Sequence, residues 1–283
     1  MRGGASGLTI AATVAAMVAF AANSVLCRMA LATDSIDPAS FTSLRLVSGA
    51  AMLWFLTRAL ARPKVSAGSW ESAAYLFIYA IAFSLAYTSL SAGTGALLLF
   101  GSVQITMIVW ALFAGERPLP GRWLGMATAL AGFVYLVLPG ITAPSPLGAV
   151  LMTTAGVSWG FYSLRRKGHT DPLAATAGNF LRAAPLALLI SVLMFPGIHV
   201  SARGILLAVA SGAVASGLGY VVWYAALRGL SASGAAVVQI SVAPIATLGG
   251  VLLLGESIST RLLVSSVLIL GGITIALMSR RTA

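Results

Sequence analysis

The chain has 283 residues, of which 59% are hydrophobic and only 8% are charged, and its mean hydropathy is +0.98. Ordinary soluble domains carry about 25% charged residues, so this composition indicates an integral membrane protein and excludes a secreted disulfide scaffold, a disordered chain and a nucleic-acid binder. The net charge of +11 comes from only 17 lysines and arginines dispersed between apolar segments, and we interpret their positions as a signal of membrane topology.

Ten apolar segments are long enough to cross a bilayer as helices, which takes about 20 residues each. Helices are the expected spanning structure because they pair their own backbone groups, which hydrocarbon cannot do. We predict spans at residues 8–31, 38–58, 71–90, 93–114, 119–138, 146–165, 172–195, 202–227, 231–254 and 260–279. The first span follows Arg2 as a signal peptide would, but its apolar run is too long for one. The predicted fold class is therefore all-α integral membrane, with ten transmembrane helices.

The lysines and arginines predict which side of the membrane each end faces. With the N-terminus inside, twelve of the seventeen lie on the cytoplasmic side, and only Arg28, Arg203 and Arg261 lie on the other face. Positive charge accumulates in cytoplasmic loops, so both termini are predicted to be cytoplasmic. We expect a multi-pass protein of a bacterial-type inner (plasma) membrane.

The second half of the sequence repeats the first at an offset of 140 residues, most clearly where Gly115-Glu116 matches Gly255-Glu256. Each half would contain five spans, and an odd number of spans inverts the second half relative to the first. Secondary transporters have this layout, with a binding site near the midplane between the halves. We therefore predict two inverted five-helix repeats, at residues 1–140 and 141–283.

Ten spans in two repeats, with the fourth and ninth spans ending in Leu-X-X-Gly-Glu, resemble the EamA branch of the drug/metabolite transporter superfamily. The chain size and the neutral, aromatic-rich spans are most similar to bacterial exporters of aromatic amino acids. The family's proline in the fourth span of each repeat is Pro244 in the second half but Gln104 in the first. Gln104 keeps the backbone N–H that proline lacks, so the sequence does not require a bend there.

The resemblance implies a function and a site. The function would be export of small metabolites, most of all amino acids with aromatic or other apolar side chains, by alternating access. Spans one, three, four, six, eight and nine would surround a central cavity. Exporters of hydrophobic cations or drugs are one alternative, and a membrane-embedded enzyme acting on lipid is a weaker one.

Aromatic side chains form the first group of candidate binding residues. Tyr75, Tyr79, Phe83 and Tyr87 recur every four residues in the third predicted span and so share one helix face. Packing is one interpretation of this stripe, but a Tyr hydroxyl at mid-membrane depth needs a partner that lipid does not supply. The predicted aromatic binding residues are Tyr79 and Trp159 first, then Phe83, Tyr162, Tyr220 and Trp223.

Uncharged polar side chains inside the spans form the second group, which consists of Asn23, Gln104, Asn179 and Gln239. Amides in hydrocarbon need hydrogen-bond partners. They would either bridge helices or contact the ammonium and carboxylate of a zwitterionic substrate.

Two arginines lie deep within predicted spans. At a rise of about 1.5 Å per residue, Arg182 lies about 15 Å along the seventh span and Arg45 about 10 Å along the second. A central arginine costs about 2.5–3.5 kcal/mol on insertion scales, so both should face protein or water. Each is either structural, bonding helix carbonyls, or a cavity cation that attracts a carboxylate, and Arg182 is included among the predicted binding residues.

The sequence lacks the motifs of several other mechanisms. It contains no P-loop motif, and no metal-ligand cluster or carboxylate pair lies inside the spans, so we expect no cofactor, no metal and no enzymatic activity. All six acids lie in loops or at span ends, which favours substrate flow down its own gradient without strict proton coupling. The expected partners are a small-molecule substrate and the lipid bilayer but no nucleic acid, and the expected oligomeric state is a monomer or a weak homo-oligomer.

Overall fold

The computed structural model describes residues 7–60, 67–115, 119–140, 143–165, 171–230 and 232–279. Within these ranges the chain is helical and contains no β-strand, and Ile36 and Val200 form an isolated antiparallel bridge. Eight of the described helices are long and apolar enough to cross a membrane. The protein is therefore a multi-pass membrane protein.

Twelve α-helical segments follow one another along the described chain. They are α1 (Gly7–Ala32), α2 (Pro38–Ala59), α3 (Trp70–Ala86), α4 (Ala92–Phe113), α5 (Pro120–Val137), α6 (Pro146–Arg165), α7 (Pro172–Leu193), α8 (Ala202–Val209), α9 (Gly219–Leu227), α10 (Ala232–Gln239), α11 (Val242–Leu254) and α12 (Thr260–Met278). The third and fifth predicted spans correspond to α3 and α5, which have 17 and 18 residues. Because these two are not among the eight, the count of ten spans stays a prediction.

Side-chain caps determine where several helices begin. Asp37 Oδ1 accepts a hydrogen bond from Ser40 N at 2.9 Å before α2, and Asp171 accepts from the first backbone amides of α7. In both cases proline occupies the first helical position, where its missing N–H leaves no bond unmade. The Asp-Pro pairs of the sequence are thus the starts of α2 and α7.

The eighth predicted span is not a uniform α-helix. A π-helical segment, Ala210–Leu218, lies between α8 and α9. Its wider turn aligns residues five apart, so the hydroxyls of Ser211 and Ser216 both donate to Asn23 Oδ1, at 2.8 and 3.3 Å. A Cβ atom on Gly212 would lie 2.2 Å from the carbonyl oxygen of Arg45. The π segment therefore packs in close backbone contact with α2 and holds one face of α1.

The ninth predicted span is interrupted between Gln239 and Val242. Pro244 lies one turn beyond the break and has no N–H to donate to the carbonyl of Ile240, which would be its partner in a continuous helix. By contrast, α4 is continuous through Gln104. The helix is therefore broken in the second half only, as the retained N–H of Gln104 predicts.

The helices of the two predicted halves pack mainly against each other. In the first half, α3 contacts α6 and α7, α2 contacts α7 and the π segment, α1 contacts α9 and α11, and α4 contacts α6 and α11. At one side of the bundle α5 pairs with α12. The described helices of the two predicted halves thus pack into a common interior.

The predicted orientation is testable by cysteine labelling from each side. In a background lacking Cys27, we expect Ser257→Cys to react with a membrane-impermeant maleimide from outside and Glu116→Cys to react from inside. Ser257 is exposed and adjoins Glu256, so its substitution spares the Glu256 side chain, while Glu116 lies outside the described residues. Labelling of both positions from one face would contradict the inverted layout.

Candidate functional site

An aromatic cavity lies in the interior between the two halves. Its walls come from α1, α2, α3 and α4 on one side and from α6, α9 and α10 on the other. The lining residues are Phe20, Asn23, Ser24, Arg45, Tyr79, Phe83, Leu99, Phe100, Trp159, Tyr220, Trp223 and Gln239. The cavity volume is about 30 Å³, enough for one or two waters. An amino acid therefore enters only if the walls move apart.

Trp159 joins the aromatic side chains of the two halves. The centroid of its ring lies 4.7 Å from that of Tyr79 on α3 and 5.9 Å from that of Tyr220 on α9. Phe20 on α1 continues the cluster, with its ring centroid 5.8 Å from Tyr220 and 6.0 Å from Trp223. These distances are typical of favourable ring pairs. Aromatic rings from α1, α3, α6 and α9 therefore form one cluster.

Arg45 brings the positive charge to this cavity. It is only 3% exposed, and its Nη2 donates to the Tyr79 hydroxyl at 2.9 Å. The guanidinium carbon lies 4.8 Å from the ring centroid of Phe83 and 5.2 Å from that of Tyr79, which are cation–π distances. The other terminal nitrogen, Nη1, is buried without a hydrogen-bond partner among the described residues. None of the lining residues is acidic.

Seven of the predicted binding residues line this one cavity: Asn23, Tyr79, Phe83, Trp159, Tyr220, Trp223 and Gln239. The other four, Gln104, Tyr162, Asn179 and Arg182, are not among its lining residues.

Tyr162 and Asn179 lie next to the cavity lining and pack against it or bond to a residue that does. The Tyr162 ring is fully buried, with its centroid 5.2 Å from that of Trp159. Asn179 Nδ2 donates to the Tyr162 hydroxyl at 3.4 Å, and Asn179 Oδ1 accepts from Ser69 N at 3.0 Å. Gln104 is buried in α4. The Asn179 amide thus joins α7 to α6 and to the start of α3, which is one of the two roles that the sequence left open for the amides.

Arg182 bonds to the backbone, as a structural arginine would. Its Nη1 donates to the carbonyl of Ala67 at 3.2 Å and to that of Gly178 at 2.9 Å. Of the two deep arginines, the structure therefore brings Arg45 to the cavity, whereas the predicted binding set contained Arg182.

Five lining residues were not in the predicted binding set: Arg45, and also Phe20, Ser24, Leu99 and Phe100. Phe20 precedes Asn23 by three residues, and that spacing on a helix places two side chains on one face, so a search around Asn23 would have found it. Phe100 precedes Gln104 by four residues and so shares its helix face, but Gln104 itself does not line the cavity, and Leu99 lies within the apolar run of residues 95–101.

Contacts between the halves close the bundle where α1 finishes, which we call the Arg28 end. Arg28 Nε lies 3.2 Å from Glu256 Oε1, and Arg28 Nη1 donates to the carbonyls of Tyr87 and Thr88. Glu256 Oε2 accepts from Ala92 N at 2.8 Å, at the start of α4, where the helix dipole favours an anion. The Glu256 carboxylate thus ties the segment after α11 to α1 and α4.

The opposite end of the bundle, where α3 begins, is called the Glu71 end. Glu71 forms an ion pair with Arg165 at the end of α6. The bond from Ser69 N to Asn179 and the bond from Arg182 to the Ala67 carbonyl lie at the same end. Contacts between the halves therefore flank the cavity at both ends.

A multi-pass helical bundle with a cavity between its halves is an architecture of membrane transporters. Residues 146–278 match the EamA-like transporter family. Uncharacterized protein PA1977 of Pseudomonas aeruginosa is 50% identical over 273 residues, covering 96% of this chain and 95% of that protein. The chain belongs to the EamA-like transporter family, which confirms the family predicted from the sequence.

More distant relatives include two proteins of Bacillus subtilis. Uncharacterized transporter YoaV is 23% identical and covers 87% of this chain and 89% of its own length. Uncharacterized transporter YwfM is 27% identical and covers 81% of both. A protein of known crystal structure has the same fold, with a TM-score of 0.67 and 24% identity over 95% of this chain and 98% of that one.

Proposed function

We propose that this protein exports small amphipathic metabolites by alternating access, and that its substrates are amino acids with aromatic or other apolar side chains. The observation that carries the proposal is the ring cluster of Tyr79, Trp159 and Tyr220, which lines a cavity between the two halves of a transporter-family protein. Ring faces bind an apolar side chain by burying its surface. The amides of Asn23 and Gln239, at the same cavity, supply polar contacts for the backbone groups of an amino acid.

Alternating access requires that the cavity open to one side at a time. By the positive-inside rule, the Arg28 end faces outward and the Glu71 end faces the cytoplasm. Contacts between the halves are present at both ends, so the arrangement corresponds to a closed state between the two open ones. Releasing one set of contacts would expose the cavity to that side.

The lining charge favours amino acids over the alternative of hydrophobic cations or drugs. Aromatic faces attract cations, but a cation entering this cavity would meet the Arg45 guanidinium and no acidic lining side chain. Transport is favoured over chemistry on lipid because two relatives are named as transporters and the family is one of transporters.

The test is transport of labelled amino acids by the purified full-length protein in proteoliposomes, with equal pH and no membrane potential across the bilayer. We expect exchange of labelled phenylalanine and tryptophan, and a strong loss in Tyr79→Ala and Trp159→Ala. Loss of one buried ring removes about 1.5–3 kcal/mol of contact, which lowers affinity by about ten- to a hundredfold. Phe161→Ala is the matched control, because Phe161 also lies on α6 but stacks on Tyr75 outside the cavity lining.

Melting temperatures separate binding from packing. If Trp159→Ala unfolds while its folded fraction keeps normal substrate affinity, the ring is a packing residue. If the wild-type protein exchanges no amino acid of the panel, the proposed substrate class is wrong.

A further inference from the structure

We infer that Arg45 binds the carboxylate of the substrate, and that the cavity recognises this anionic group and not the ammonium. The inference rests on the proposed transport function and names the chemical group that the site selects. Its consequence is that aromatic carboxylates without an amine are ligands, whereas aromatic amines without a carboxylate are not.

The bonding of Arg45 is incomplete in the closed state. A guanidinium has five N–H donors in a planar fork that matches the two oxygens of a carboxylate. Nη2 of Arg45 donates to the Tyr79 hydroxyl at 2.9 Å, while Nη1 is buried without a partner among the described residues. A buried polar group that is left unpaired is costly. A carboxylate in the cavity would supply the missing acceptor and the missing negative charge.

The surroundings of Arg45 distinguish it from a structural arginine. Arg182 Nη1 donates to the backbone carbonyls of Ala67 and Gly178. The Arg45 guanidinium instead lies over the rings of Tyr79 and Phe83, and both of these residues line the same cavity. The rings and the hydroxyl therefore hold the charge in place beside the space where the apolar part of a substrate would lie.

The charge balance of the cavity sets the selectivity. Arg45 is its one charged lining residue within the described part of the chain. An ammonium group would find ring faces and amide oxygens there but no counter-charge, and in a site shielded from water it would be repelled by the guanidinium. A carboxylate, by contrast, is attracted by the positive charge of Arg45.

The experiment measures competition against exchange of labelled phenylalanine by the full-length protein in proteoliposomes. The unlabelled competitors are phenylalanine, 3-phenylpropionate, phenylalaninamide and 2-phenylethylamine, which separate the carboxylate from the amine on one ring. We expect 3-phenylpropionate to inhibit nearly as well as phenylalanine. Because hydrogen bonds to charged groups are the strong ones, we expect the two compounds without a carboxylate to inhibit about ten- to a hundredfold more weakly.

Variants then assign the effect to Arg45. Arg45→Gln should remove the preference for carboxylates over the amide and the amine, and Arg45→Lys should retain part of it. Arg203→Gln is the matched control, since Arg203 is exposed and outside the cavity lining, and it should leave the preference unchanged.

The outcomes distinguish failure of the inference about Arg45 from failure of the proposed transport function. Inhibition by phenylalanine but not by 3-phenylpropionate, or unchanged preference in folded Arg45→Gln, overturns the inference and leaves the proposed function standing. Equal loss of all four competitors in folded Arg45→Gln makes the residue structural and overturns it too. If Arg45→Gln does not fold, the ranking of the competitors on the wild-type protein still decides. No exchange of any amino acid overturns the proposed function, and the inference with it.

Discussion

Replacing Glu256 with glutamine is expected to open the Arg28 end of the bundle. The Glu256 carboxylate bonds to Arg28 at 3.2 Å and to Ala92 N at 2.8 Å. The side chain of Arg28 is only 21% exposed and that of Glu256 only 16%. Hydrogen bonds to charged groups in such a setting contribute about 1.5–3 kcal/mol. Losing the charge should therefore raise the equilibrium constant for opening at this end by about ten- to a hundredfold.

Accessibility of a cysteine in the cavity measures that shift. Ser24 lines the cavity, so Ser24→Cys in a background lacking Cys27 reports access when a small impermeant thiol reagent is added from outside. Glu256→Gln should speed this labelling. Glu71→Gln is the matched control, because the Glu71–Arg165 pair is about half exposed, at 53% and 45%, and exposed pairs contribute about 0–1 kcal/mol. Equal labelling rates in the two variants would show that Glu256 is not a gate.

Replacing Gly178 with alanine is expected to disrupt the Glu71 end. An added Cβ would lie 1.7 Å from the carbonyl oxygen of Ala67, and a backbone atom cannot move aside as a flexible side chain can. The segment before α3 would have to leave α7, which breaks the bond from Ser69 N to Asn179. Overpacking typically costs about 1–3 kcal/mol, and alanine is the better helix former by about 1 kcal/mol, so any loss comes from the contact.

Thermal stability and exchange rate together test this effect. We expect Gly178→Ala to lower the melting temperature, because overpacking costs folding stability, and to reduce exchange, because the Glu71 end loses the contact between Ser69 and Asn179. Gly271→Ala on α12 is the matched control, because nothing lies within 4 Å of its added Cβ. The close approach of α7 to the Ala67 carbonyl would be functionally unimportant if the two alanine variants behaved alike.

The positions of most helices could be predicted because apolar length and turn chemistry are local properties. Asp37-Pro38 and Asp171-Pro172 are the starts of α2 and α7. The third predicted span, by contrast, was drawn to residue 90, but α3 ends at Ala86. Tyr87 is fully buried after the helix, and its hydroxyl donates to the carbonyl of Ala92 at 3.3 Å. The buried Tyr87 and Leu90 continue the apolar pattern of α3 into the turn that follows it, so the sequence overestimates the length of the helix.

The site could be predicted where spacing alone places side chains together. Tyr79 and Phe83 are four residues apart on α3 and both line the cavity. Arg45 and Arg182 both lie deep within their spans, and only their neighbours in the fold show that one lines the cavity and the other does not. The π-helical turn of Ala210–Leu218 adds a residue without changing the composition of the segment, so nothing in the sequence indicates the hydrogen bonds from Ser211 and Ser216 to Asn23.

The way the halves share one interior has a consequence for biosynthesis. The main packing partners of α1, α2, α3 and α4 are α6, α7, the π segment, α9 and α11, all of which leave the ribosome later. The first helices to be inserted therefore lack their packing partners until nearly the whole chain has been made. Until then polar side chains such as Asn23 have no hydrogen-bond partners from the later helices. A truncated product that stops after α5 would lack most of its native contacts, which makes it a natural target for membrane proteases.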